Sequence, residues 1–354
     1  AAGVRTGSLK ADCIRSGMAL GIGTAVERGA RLARNMILAR LLAPDQFGIM
    51  AIVLAVTGVF EAISEVGVRQ AIIQNRKGDT EEFLNVAWWF SATRGAILCL
   101  TGAFVSPWIA RFYGDASLTP LLRLVFLGML VSGLTSTRLN VLEKRLKFVQ
   151  YVCIVHGSGL LGTVVSLVAA IYIRNVWALA IGMFCEVAIR CLVSLLCLPI
   201  CPRLPLDRGC LHELLLFTKG MAGLPILTGI IMQADIFVLG KTCTTDMVGK
   251  YALALGLAST PLMLFSRMIQ PMILPVLSTD QSDPARLREM VLRMTRLLCT
   301  FGIPMAVCLA LFAGPILSVA YGVAYAQMAG AFGILTLYYL TYMLSTILVS
   351  VYLA

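Results

Sequence analysis

The sequence predicts an all-α fold, a polytopic bundle of transmembrane helices. Three observations carry that reading: an apolar composition, the number and length of the apolar runs, and basic residues that collect in alternate loops. Hydrophobic residues make up 59% of the 354 positions and charged residues 13%, against about 45–50% and about 25% in soluble domains. A span needs about 20 mainly apolar residues, and backbone in lipid satisfies its own hydrogen bonds by forming helix. Ten runs qualify: 18–42, 47–73, 84–109, 121–139, 151–173, 177–200, 214–239, 251–277, 297–321 and 329–353. The connections are short. Residues 1–15 read as polar and basic, without the apolar stretch and small-residue cleavage site of a signal peptide.

The net charge of +11 first suggests a nucleic-acid partner, but its distribution argues against one. Seventeen Lys and Arg fall at the N-terminus and in the loops around Arg69–Lys77, Arg138–Lys147, Arg203–Lys219 and Arg286–Arg296, and five fall in the intervening loops. Cytoplasmic loops carry that excess, so the expected N-terminus is cytoplasmic and the basic loops lie against anionic lipid. Eleven Cys are scattered, mostly inside spans, and read as small apolar filler. Cys201 and Cys210 are too far apart for a metal pair. His156 and His212 read as isolated. No metal, cofactor or nucleic acid is expected, and the chain is not read as an enzyme.

The chain also repeats itself. Residues 37–52 align on 238–253 at a constant offset of 201, with Leu38, Asp45, Gly48 and Ala51 matching Leu239, Asp246, Gly249 and Ala252, and Arg40 matching Lys241. Both stretches end one span, make a tight polar turn and open the next. Six spans separate the copies, and an even number per unit keeps the two units parallel in the membrane. The expected organisation is therefore two pseudo-symmetric six-helix lobes. Residues 1–205 hold about six spans and 206–354 about four, so the second lobe is expected to be incomplete and the sequence to be a fragment or a shortened copy.

Charges inside spans carry the functional signal, because an ionisable group at membrane depth costs at least about 2.5–3.5 kcal/mol and normally faces the bundle interior. In the first span Glu27, Arg28, Arg31, Arg34 and Asn35 fall on one arc, and Ile22, Ala25, Val26, Gly29, Ala33, Met36 and Ile37 on the other. That pattern fits an interfacial amphipathic helix or a spanning helix that turns a basic stripe toward a cavity. The plainly apolar repeat partner at 214–239 favours the second. Further charges are Glu61 and Glu65, Arg94, Glu186 with Arg190, Asp235 and Arg267. Glu186 and Arg190 are four apart and positioned to neutralise each other. Pro225, Pro261, Pro271, Pro275, Pro304 and Pro315 mark kinks in the later spans.

One stretch is more specific. Residues 31–48 read Arg-Leu-Ala-Arg-Asn-Met-Ile-Leu-Ala-Arg-Leu-Leu-Ala-Pro-Asp-Gln-Phe-Gly, followed by Val59-Phe-Glu-Ala-Ile-Ser-Glu-Val-Gly67 and Ala71-Ile-Ile-Gln74, then Ala87-Trp-Trp-Phe-Ser with Arg94-Gly95, and Phe112-Tyr-Gly114. This pattern resembles the polysaccharide transport family of the MOP (multidrug/oligosaccharidyl-lipid/polysaccharide) exporter superfamily, the Wzx-type flippases. The resemblance implies two six-helix lobes around a central cavity. It also implies movement of undecaprenyl-diphosphate-linked oligosaccharide repeat units across the bacterial inner membrane, for exopolysaccharide or O-antigen (lipopolysaccharide) synthesis. A polysaccharide polymerase and a chain-length regulator are the expected partners. An anionic diphosphate calls for cations that bind it through a planar fork, which makes Arg28, Arg31, Arg94 and Arg267 the substrate-binding candidates. Glu61 and Asp235 are the candidates for ion coupling by a proton or sodium. The alternatives are a MATE-like multidrug or cation antiporter, which calls for an acidic cavity, and a membrane polymerase or glycosyltransferase, which calls for catalytic groups in sizeable loops.

Overall fold

The computed structural model describes residues 2–64, 67–204, 207–221, 223–268 and 284–353. Among these the chain forms fourteen α-helices and one 3-10 turn. In order they are α1 (Ala2–Leu41), α2 (Pro44–Ser64), α3 (Val68–Gln74), α4 (Glu81–Tyr113), α5 (Leu118–Gly133), α6 (Arg138–Lys144), α7 (Phe148–Ile173) and α8 (Trp177–Cys197). Then come α9 (Arg208–Met221), α10 (Gly223–Thr242), α11 (Thr245–Met268), α12 (Pro284–Leu311), α13 (Ala313–Tyr321), the 3-10 turn Val323–Met328 and α14 (Ala329–Leu353).

Among the described residues, each of the ten expected spans falls largely on helix. Six segments among the described residues are long and apolar enough to cross a membrane, and a seventh is added if α5 and α6, bent by 65°, form one span. Four runs make the difference from ten, and one of them, 214–239, is shared between α9 and α10. The α1 segment carries its charged stripe, and α5 has only 16 residues before the bend. The run at 251–277 extends past the described part of α11.

Helix ends follow from local chemistry. Thr80 caps α4 by accepting a hydrogen bond from the Phe83 N–H, with Glu81 and Glu82 in the first turn where the helix dipole favours negative charge. Gly114, at φ +76°, closes the same helix in the left-handed conformation that glycine adopts without penalty. α12 stops at Leu311 because Pro315 cannot continue the ladder and its ring would meet that carbonyl.

The repeat is visible in the helix boundaries. α1 ends at Leu41 and α2 begins at Pro44; α10 ends at Thr242 and α11 begins at Thr245, 201 residues later in both cases. The matched cations play matched parts. The Arg40 guanidinium donates to the Val319 carbonyl near the end of α13 at 2.8 Å, and the Lys241 ammonium donates to the Phe112 carbonyl near the end of α4. Each cation thus meets the negative end of a helix.

Contacts divide the chain into two compact units, one of residues 1–34 and 41–248, the other of residues 35–40 and 249–354. In the first, α7 packs on α8, α4 on α5, and α10 on α2, so residues 208–242 pack with the helices that precede them. Small residues set the closest approaches. A Cβ on Gly182 would lie 2.4 Å from Ser166 Cβ, and one on Gly162 would lie 2.5 Å from Glu186 Cβ. Close backbone approach at small residues is how helices associate where lipid offers no hydrophobic drive. One end of this unit is fastened by ion pairs between loops. Asp79 meets Arg145 at 3.0 Å and Lys144 at 3.5 Å, Glu81 pairs with Arg138, Glu143 with Arg69, and Glu213 with Lys77 at 3.4 Å. Beneath them Ile72, Phe83 and Leu214 join α3, α4 and α9 in an apolar cluster. In the second unit α12 packs on α14.

Candidate functional site

The first helix is turned inside out relative to a helix of a water-soluble protein. Ile22, Val26 and Ile37 are exposed, whereas Glu27, Arg28, Arg31, Arg34 and Asn35 are half-buried. A helix that presents its apolar arc outward and its charges inward suits lipid on one side and a polar interior on the other.

Arg31 is the centre of a cluster drawn from three helices. Its Nε donates to Glu27 Oε1 at 2.8 Å, one turn back on α1. Its Nη2 donates to Glu186 Oε1 of α8 at 2.7 Å. The other Glu27 oxygen meets His156 Nδ1 of α7. Glycine makes the room: a Cβ on Gly159 would lie 2.9 Å from Glu27 Oε1. His156 is buried, and its Nε2 has no hydrogen-bond partner.

Two readings of the sequence change here. His156 is not isolated, because α7 brings it against Glu27. Glu186 pairs with Arg31 and not with Arg190, its neighbour one turn on. Arg190 makes no hydrogen bond or ion pair with any described residue. The physical reason is shared: a carboxylate on a packed helix takes the cation that the facing helix presents, and local spacing does not say which helix faces it.

Two cavities open beside this cluster. The larger, about 270 Å³, is lined by Arg31, Glu61, Glu186 and Arg190 among apolar residues of α2, α5 and α8. The smaller, about 120 Å³, is lined by Glu61, Arg94 and Ser132 among others. Glu61 is exposed, lines both, and its carboxylate bonds to no described residue. Arg94 donates to the Ser64 hydroxyl at 3.1 Å. The structure therefore gathers Arg31, Arg94 and Glu61 around adjoining cavities, adds Arg190 and Glu186 to their lining, and ties Arg31 to Glu27, which in turn meets His156. Arg28 lines neither cavity. Asp235 lies half-buried on α10, lines neither, and accepts from the Ile236 N–H at 2.8 Å. The backbone at Arg267 is helical, but its side chain, like Glu65, lies outside the described residues.

Residues 37–330 match a family model described as polysaccharide biosynthesis protein. The chain belongs to that family. Among similar proteins is the succinoglycan biosynthesis transport protein ExoT of Rhizobium meliloti, 24% identical over 310 residues that make up 87% of this chain and 62% of that protein. Another is the lipopolysaccharide biosynthesis protein WzxC of Escherichia coli, 23% identical over 79% of this chain and 57% of its own length. The chain spans less than two thirds of either relative. Among solved structures it resembles the lipid II flippase MurJ in an inward closed conformation, with a TM-score of 0.74 at 14% identity over 94% of this chain and 76% of that one. It also resembles an inward-facing MATE transporter of the MOP superfamily, with a TM-score of 0.67 at 15% identity over 92% and 81%. At such identities the likeness shows the fold: this member of the polysaccharide biosynthesis family is an integral membrane protein with a MATE- and MurJ-like helical fold. Glu61, Arg94, His156, Glu186 and Arg190 fall inside the family match, and Glu27 and Arg31 just before it.

Proposed function

We propose that the protein is a flippase that moves undecaprenyl-diphosphate-linked oligosaccharide repeat units across the bacterial inner membrane by alternating access. The product serves exopolysaccharide or O-antigen synthesis, with a polymerase and a chain-length regulator acting on the units once they have crossed. The observation that carries this reading is the cavity where Arg31 and Arg190 face Glu61 and Glu186 inside the helical unit. Guanidinium forks at membrane depth suit a diphosphate, which binds through paired charge-assisted hydrogen bonds. The names of the relatives, both polysaccharide biosynthesis proteins and one a transport protein, point the same way.

In this reading the lobes are 1–205 and 206–354, as the repeat divides them. The N-terminus and the end fastened by the loop ion pairs are cytoplasmic. Arg28, Arg31, Arg94 and Arg267 supply cations to the substrate path, and Glu61 and Asp235 are the acidic groups available for ion coupling. Arg31 holds two carboxylates in this conformation, so it engages a diphosphate by exchanging them.

The test is a deletion strain complemented with the full-length gene. Lipid-linked repeat units accumulate in the deletion and clear when the intact protein is restored. Arg31→Ala, at equal membrane abundance, leaves them accumulated; Arg31→Lys restores export in part, since Lys keeps the charge and loses the fork. Arg111→Ala, at an exposed position in the last turn of α4, exports normally. Normal export by Arg31→Ala removes Arg31 from the substrate path, and a deletion strain without accumulated lipid-linked units overturns the flippase reading.

A further inference from the structure

A third cavity, of about 340 Å³, lies between α3, α4, α5, α6, α7 and α8 and differs in charge from the other two. Its lining contains three guanidiniums, Arg69, Arg94 and Arg190, and no Asp or Glu. Around them stand neutral hydrogen-bonding groups, including Gln70, Asn140 and Tyr151. Arg69 is neutralised from outside the cavity by Glu143, which does not line it. Arg190 has no direct partner: the carboxylate one turn away on its own helix is taken by Arg31, and no other described residue bonds to it. On the side of this cavity it meets no carboxylate, and a cation inside a helical bundle without a bonded counter-charge is costly unless a ligand supplies one.

The cavity has a definite place. Arg69 sits at the end where the loop ion pairs fasten α3, α4 and α6. Arg94 and Ser132 are shared with the smaller of the other cavities, and Arg190 with the larger. An anion held here therefore lies between the loop end of the unit and the charge-balanced cavity around Arg31.

We propose that this carboxylate-free cavity is a distinct anion site that takes a phosphate-bearing group. Arg190 is its principal ligand, Arg94 and Arg69 are further cations, and the Asn140 amide is a neutral donor. The chemistry of the site rests on the cavity itself. Its place as the station a diphosphate occupies before reaching Arg31 rests on the flippase reading. Two sources supply such a group: the diphosphate of a lipid-linked sugar and the headgroup of an anionic phospholipid.

Equilibrium binding to the purified full chain separates this inference from transport. Inorganic pyrophosphate is titrated into protein held in phosphatidylcholine nanodiscs and followed by tryptophan fluorescence, since Trp88 and Trp89 lie on α4 within one turn of Ser91, which lines the cavity. Saturable binding is expected, weakened about tenfold or more in Arg190→Gln, as loss of a charge-assisted hydrogen bond entails. Asn140→Leu, which touches only this cavity, also weakens it; Arg123→Gln, exposed on α5, leaves it unchanged. Competition by undecaprenyl diphosphate but not by added phosphatidylglycerol supports the site and assigns it to the substrate. Competition by phosphatidylglycerol supports the site and assigns it to the headgroup. Absence of saturable binding, or an unchanged affinity in Arg190→Gln that elutes as folded protein, overturns it. So does loss in Arg190→Gln with none in Asn140→Leu, because the anion then sits in the cavity around Arg31.

Discussion

At the scale of single residues, the cluster around Arg31 turns four charged or ionisable side chains into a tie between helices. Arg31 and Glu186 are 155 positions apart in the chain, and Glu27 and His156 are 129 apart. Removing one partner of a sheltered pair leaves the other desolvated and unpaired, which costs more than the pair itself contributes. Arg31→Gln and Glu186→Gln should therefore each destabilise the protein in detergent, and the double variant should lose less than the sum, with a coupling of about 1 kcal/mol. Strict additivity in a denaturation series would mean that the two side chains do not share a bond. Arg31 was legible as a functional candidate because a one-sided charged arc within an apolar run is itself a signal. His156 and Arg190 were not, since a lone histidine and an apparently balanced Glu–Arg pair give none. Their significance comes from what α1 places opposite them.

At the scale of elements, the loops that join the helices are held by acid–base ties whose strength depends on pH. The hydrogen bond from Arg145, and then the charge of Lys144, hold the Asp79 carboxyl below its ordinary range. Hydrogen bonding from Asn75, and then the charge of Lys77, do the same for Glu213. A carboxyl lowered in the folded state contributes stability that is present above its unfolded value, near pH 4, and lost as pH falls through the folded value. Hydrogen exchange in the 75–80 turn should thus be slow and flat from pH 8 to about pH 5, after allowance for the intrinsic rate, and rise below about pH 4. Asp79→Asn should raise it at neutral pH and flatten the acid response. Protection that is unaffected by both acid and Asp79→Asn would show that the apolar cluster of Ile72, Phe83 and Leu214 holds these elements without the ion pairs.

At the scale of the whole molecule, the six spans that the sequence predicts between the two copies of the repeat would give both copies one orientation. Single cysteines placed at 78–82 and at 283–288 should react with a membrane-impermeant reagent only from the cytoplasmic side. One at Asp115 or Ala324 should react only from outside. The opposite pattern would reverse the topology and move the third cavity to the outer face. The loop ion pairs are consistent with a common end for the first set of loops, because Asp79 and Glu81 reach Arg145 and Arg138 across the bundle end.

The sequence alone determined what local composition controls. Apolar runs dictate helices, because backbone without water must bond to itself. The tight turn at Leu42 and Ala43 recurs 201 residues later, at Cys243 and Thr244, because the same helix ends need the same stop and start. The family resemblance was carried by that turn and the charged arc before it. Tertiary structure alone decided the partners. Which carboxylate meets Arg31, and therefore which arginine is left without a bonded carboxylate, depends on helices brought close by the absence of side chains at Gly159, Gly162 and Gly182. Steric fit between distant segments selects among many possible neighbours, and the linear order of residues does not contain that distance.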